Sequence, residues 1–151
     1  MRESNRAGRL LRVLLPALTL LWLAFILGRS LRPAPESSLE SGWFVRLFRR
    51  VIPSITDHAV RKLAHLTEFA VLGLLLRADF SVFGHKAPVL PILCGLLAAV
   101  LDEGIQRFVP GRSGELKDVL IDGCGVVLGC LAAVLFSFLR NKRKRKKGKT
   151  Q

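Results

Sequence analysis

Four apolar stretches divide this 151-residue chain, and each is long enough to cross a membrane as a helix. A bilayer core of about 30 Å needs about 20 helical residues. Within lipid every backbone N–H and C=O has to be satisfied inside the segment, which makes the helix the natural form for runs of this length. The stretches cover residues 10–28, 57–76, 88–107 and 118–139. The expected fold is therefore all-α, an integral membrane bundle of four transmembrane helices. Arg2, Arg6, Arg9 and Arg12 lie before or at the start of the first stretch. A cleaved signal peptide shares that basic start, but LGRSLRPAP follows, with two arginines where a small-x-small cleavage site belongs. An uncleaved helix is expected. Thr56 or Asp57 can cap the second helix, and prolines open the third, where they are tolerated.

Half of the residues are apolar, yet Lys and Arg number 24 against 11 Asp and Glu, a net charge of +13. An oily and strongly basic chain meets either nucleic acid or a membrane. A nucleic-acid binder spreads its basic residues over a folded surface. Here they fall largely outside the apolar stretches, so the expected partner is a lipid bilayer and no nucleic acid. Placing both termini in the cytoplasm puts fourteen basic residues inside and ten outside. The terminal clusters then flank their helices closely, where the positive-inside rule applies best. The chain divides into a basic cytoplasmic N-terminus (1–9), a membrane domain (10–139) and a polybasic cytoplasmic tail (140–151). Eight basic residues from Arg140 to Lys149 suit anionic lipids of the inner leaflet. Between the first two spans, WFVRLFRRVIP (Trp43 to Pro53) reads either as an interfacial helix or as a short solvated one. Cys94, Cys124 and Cys130 are odd in number and lack C-x-x-C spacing, so they read as small reduced hydrophobes.

Ionisable side chains within spans are costly and face a protein interior or a wet cavity. On the second span His65 and Glu68 share a face, with Lys62 one turn earlier. On the third, Asp102 and Gln106 are four apart, with Glu103 beside them. On the fourth, Asp118 and Asp122 are four apart, and Gly123, Gly125 and Gly129 are small enough to let a neighbouring helix approach closely. At 1.5 Å per residue, His65 lies roughly 12 Å, Asp102 roughly 7 Å and Asp122 roughly 6 Å below the outer surface. Three helices thus carry their polar residues at similar depth, with Arg112 in the loop above. Carboxylates at such a depth neutralise unless a cation pairs with them. Arg112, Lys62, a protonated His65 or a bound divalent metal are the candidates. The polar groups could instead form a clasp between helices, since interhelical hydrogen bonds stabilise a bundle modestly. His58 and His85 read as surface residues. G-x-G-x-x-G is absent, and Gly148-Lys149-Thr150 lacks the glycine that a P-loop needs at position 143, where Arg143 stands, which excludes Rossmann and P-loop nucleotide sites. Ser113 lacks the G-x-S-x-G elbow of a serine nucleophile.

The segments HLTEFAVLGLLL (65–76) and DEGIQRFVPGRSGELKDVLIDGCGVVLG (102–129), in a four-span layout, resemble the VanZ-like family. That family shows H-x-x-E-F, then D-E-x-x-Q-x-F-x-P-G-R, then D-x-x-x-(N/D)-x-x-G. His65, Glu68 and Phe69 fill the first motif. Asp102, Glu103, Gln106, Phe108, Pro110, Gly111 and Arg112 fill the second, and Asp118, Asp122 and Gly125 the third. Asp122 stands where many members have Asn, which adds one acidic charge. The resemblance covers residues 57–139. It implies a small bacterial membrane protein of the cell envelope. The family's named member is associated with low-level resistance to teicoplanin, an acylated glycopeptide that targets cell-wall precursors. No established reaction comes with it.

Three functional readings follow. The first is a non-enzymatic envelope protein that alters access of a lipophilic glycopeptide to the outer leaflet. The second is an intramembrane enzyme acting on a lipid head group or a lipid-linked wall precursor, with carboxylates as metal ligands or acid and base, and Arg112 on a phosphate. The third is a proton or ion pathway. It is disfavoured because the inner halves of the spans read as almost wholly apolar, whereas a pathway needs polar steps on both sides.

Overall fold

A computed structural model describes residues 2–33, 46, 50, 52–85, 87–112 and 114–147. Among these lie four helices and no strand: α1 (Arg2–Ser30), α2 (Asp57–Val82), α3 (Val89–Gln106) and α4 (Leu116–Lys147). The amphipathic segment from Trp43 to Pro53, Lys86, Ser113 and the end of the tail fall largely or wholly outside the described residues. Three helices run beyond their apolar stretches, because the flanking Arg and Lys are good helix formers and protrude from the bundle without packing cost. Thr56 is the N-cap of α2, its Oγ1 accepting the Ala59 N–H at 3.2 Å. Gly84, at φ 92°, follows the C-cap Phe83 and turns the chain toward α3.

The segments Gly8–Ser30, Val89–Gln106 and Leu116–Arg145 are long and apolar enough to cross a membrane. Their outward faces expose Leu14, Leu18 and Leu21 on α1, Leu93, Leu97 and Leu101 on α3, and Leu128, Leu131 and Leu135 on α4. Exposed apolar surface on this scale marks contact with a membrane. Helix α2 differs, since its first three turns carry His58, Arg61, Lys62, His65 and Glu68. Its position accounts for that composition. It packs against α1, α3 and α4, most extensively against α4. A helix walled in by three others meets protein over much of its circumference, so it can carry polar groups that a lipid-facing helix cannot. The core beneath joins Ile26 of α1, Phe69 and Leu72 of α2, Ala98 and Ala99 of α3, and Val126 and Cys130 of α4.

Close approach of α2 to α4 depends on glycine. A Cβ on Gly125 would stand 2.4 Å from the Leu66 carbonyl oxygen, and one on Gly129 only 1.8 Å from that of Ala70. On the facing helix a Cβ on Gly73 would meet the Val126 oxygen at 2.2 Å. The obstructing atoms are backbone and cannot swing aside. Gly123 plays a lesser part, because its added Cβ would meet only the end of the Leu96 side chain, at 2.8 Å. The Cys130 thiol donates to the Gly73 oxygen across the same seam, at 3.3 Å. All three cysteines are free.

Gly129→Ala should therefore destabilise the bundle by about 1–3 kcal/mol, the usual cost of overpacking. A lowered thermal unfolding midpoint in detergent is the expected reading. Gly104→Ala, which meets nothing within 4 Å, should leave the midpoint unchanged or slightly higher. Equal behaviour of the two variants would contradict backbone contact between α2 and α4.

Candidate functional site

The C-terminal ends of α1 and α3 and the N-terminal ends of α2 and α4 meet at one end of the bundle. Between α3 and α4 the chain reverses through Pro110 and Gly111, whose φ of 76° suits glycine. The Arg112 N–H then donates to the Val109 oxygen at 3.1 Å. This turn carries Arg112 back over α1. Its Nε donates to the Arg32 oxygen at 3.0 Å and its Nη2 to the Arg29 oxygen at 3.2 Å. A guanidinium thus satisfies carbonyls left over at the end of α1. Burial, followed by the nearby Arg61 charge, draws the Arg112 pKa down from its ordinary value, while Asp102 and Glu103 oppose the shift.

Below this loop, His65 Nδ1 lies 3.9 Å from Asp102 Oδ2 and 3.7 Å from Asp122 Oδ1. Both carboxylates are fully buried. Gln106 Nε2 donates to Asp102 Oδ2 at 2.8 Å and reaches Ser30 Oγ at 3.5 Å. Nearer the mouth, Lys62 Nζ sits 2.7 Å from Asp118 Oδ1, tying α2 to α4. Glu103 Oε2 accepts the Glu115 N–H at 3.0 Å, which places an anion at the N-terminus of α4, where the helix dipole favours it. A cavity of about 80 Å³ opens here, lined among others by Arg61, His65, Glu103, Gln106, Arg112 and Asp122. His58 also lines it, although its place at the helix start reads as plain surface.

Glu68 stands apart from this group. It is buried, pairs with Arg29 of α1, and its backbone oxygen accepts the Trp22 Nε1–H at 3.0 Å. Of the eight polar residues singled out in the sequence, His65, Glu103, Gln106, Arg112, Asp118 and Asp122 line one cavity, Asp102 lies directly beneath, and Glu68 serves the α1–α2 contact. Arg29 and Ser30, which contact Glu68 and Gln106, are neighbours of the cluster that sequence reasoning passed over. They directly follow an apolar run, a place where a basic residue reads as a topology signal. The cation for Glu68 is Arg29, while Arg112 spends its donors on carbonyls.

Asp79 corrects the reading of an apolar inner half. It is buried on α2 and accepts the Thr19 hydroxyl at 2.6 Å. Its spacing from Glu68, Leu72 and Leu75 places it on the same inward face, a signal visible once α2 is extended to Val82. Glu68 and Asp79 are eleven residues apart, roughly 16 Å along the helix. Buried Leu72 and Leu75 occupy that face between them, so the two polar levels are not joined on α2.

The family model described as VanZ/LLP1 matches residues 15–137. An uncharacterised protein of Schizosaccharomyces pombe is 31% identical over 91 residues, 60% of this chain and 54% of that protein. The chain thus spans about half the length of that curated relative. A protein similar to this chain therefore occurs in a eukaryote. No solved structure matches.

Removing either partner of the Arg29–Glu68 pair strands a largely buried charge, whereas removing both does not. Arg29→Met and Glu68→Gln should each lower the unfolding midpoint in detergent by several degrees. The double variant should lose less than the sum of the two. Strict additivity would mean that the pair contributes nothing to holding α1 on α2.

Proposed function

The chain belongs to the VanZ/LLP1 family, and from that premise we propose that it is a four-span cell-membrane protein whose polar cavity opens at the outer leaflet and holds the head group of an amphiphile. In this arrangement α2 crosses the bilayer inside the ring of its neighbours, and both termini are cytoplasmic. One observation carries the reading: a cavity with cations and carboxylates on its wall lies at the end of a bundle whose outer faces are apolar. An acyl chain can remain in lipid beside α3 and α4 while its head group enters the cavity. Arg61, which lines the cavity and whose Nε has no hydrogen-bond partner among the described residues, suits a phosphate.

The volume narrows the choice. About 80 Å³ of cavity space holds several water-sized groups, the scale of a lipid head group and far short of the body of a glycopeptide. Resistance to teicoplanin would then arise from binding a lipid or lipid-linked cell-wall precursor at the leaflet, not from enclosing the antibiotic. The test is teicoplanin susceptibility of a bacterial host expressing wild type, Asp122→Asn or His65→Ala at equal membrane abundance. Wild type should protect and both variants should fail. Equal protection by all three would reduce the polar cluster to a clasp between helices. Absence of protection by wild type would remove the glycopeptide link.

Orientation has its own test. A cysteine placed at Lys117 should react with an impermeant thiol reagent added to intact cells, whereas one at Lys142 should react only after lysis. The reverse pattern would overturn the proposed topology.

A second reading, an enzyme acting on the same head group, is favoured by His65 standing between two carboxylates, an arrangement suited to acid–base work. Turnover of lipid phosphates by purified wild type, lost in His65→Ala, would select it over binding alone.

A further inference from the structure

We propose that His65, Asp102 and Asp122 bind a divalent cation at the floor of the cavity. One ligand atom from each of the three lies within 4.8 Å of the other two. The three side chains come from three different helices, so the site exists only in the assembled bundle. Asp122 is fully buried, and neither of its carboxylate oxygens has a hydrogen-bond partner among the described residues. Asp102 Oδ1 and His65 Nδ1 are likewise unpartnered. The separations of 3.7 and 3.9 Å are too long for hydrogen bonds.

Protein cations do not fill the gap. Arg29 is engaged by Glu68, Lys62 by Asp118, and Arg112 by the carbonyls of α1, while Arg61, which lines the cavity, reaches neither oxygen of Asp122. A proton on Nδ1 could satisfy one carboxylate and would leave the other buried and alone. A cation engages all three at once. Nitrogen and oxygen ligands hold such an ion at about 2.0–2.2 Å, which separates them by roughly 3.3–3.6 Å in tetrahedral geometry. Small side-chain rotations close the observed triangle to that size. Gln106, bonded to Asp102 Oδ2 at 2.8 Å, orients one ligand from outside, as such partners commonly do. One imidazole and two carboxylates suit Zn²⁺ or Mn²⁺. Three protein ligands leave coordination open toward the cavity, where a phosphate oxygen can complete it. The assignment deepens the head-group reading and rests on the same cavity.

The full-length protein, purified in detergent and stripped with chelator, is titrated calorimetrically with Zn²⁺ and with Mn²⁺. Wild type should take up one equivalent of at least one of them. Asp122→Asn should weaken binding by more than about 100-fold, beyond what loss of an outer-shell partner costs. Asp79→Asn, which removes a buried acid elsewhere, should bind as wild type does. His65→Gln supplies an independent ligand loss, and circular dichroism reports that each variant is helical. Failure of wild type to bind either ion, or equal binding by Asp122→Asn and Asp79→Asn, overturns the site. Stoichiometric binding by a protein that gives no protection from teicoplanin leaves the cation site standing and removes the glycopeptide link alone.

Discussion

Where α2 and α4 meet, the carbonyl oxygens of Leu66, Ala70 and Val126 occupy the space that side chains would take on Gly125, Gly129 and Gly73. In lipid the hydrophobic effect does not press helices together, so association relies on tight packing and interhelical hydrogen bonds. Three glycines on one seam provide the packing. The consequence is geometric. With the two backbones in contact, His65 on α2 is held beside Asp122 on α4, and α3 closes over both to bring Asp102 within 4 Å of the same imidazole. A wider spacing would admit lipid or water and disperse the cluster.

The second constraint is the cost of charge away from water. Three carboxylates near the cavity are each placed against a different kind of partner. Glu68 takes a guanidinium from α1, Asp118 an ammonium from α2, and Glu103 a backbone N–H at the start of α4. These pairings also fix helix register, since each links two elements at a defined level. Asp102 and Asp122 are the exceptions, buried and incompletely satisfied. An unsatisfied group of this kind destabilises a fold unless a ligand or a proton compensates it. Either a proton held by one of the two carboxyls or the proposed cation would satisfy them.

The same logic explains the asymmetry of the molecule. Lipid-facing positions of α1, α3 and α4 are apolar, while α2, enclosed by the other three, carries the imidazole and the first salt bridges. Polar chemistry is concentrated at one end, beneath a loop whose arginine is pinned to α1. A second, smaller polar contact between Asp79 and Thr19 joins α1 to α2 nearer the other end, separated from the cavity by leucines.

The number of helices, their approximate limits and the identity of most of the cluster were legible in the sequence. Long apolar runs are forced into helices by backbone hydrogen bonding in lipid, and ionisable residues inside such runs stand out against that background. Glycine spacing on α4 also pointed to a close helix contact. Partner choice was not legible. Nothing local tells that Glu68 meets Arg29 rather than Arg112, that Arg112 is consumed by carbonyls, or that Asp79 turns inward to Thr19. Those pairings join residues up to 83 positions apart, and they depend on the rotation of each helix about its own axis. Only the packed bundle sets that rotation, because it is the fit of side chains between neighbours, and not hydropathy along one chain, that determines which face of a helix looks inward.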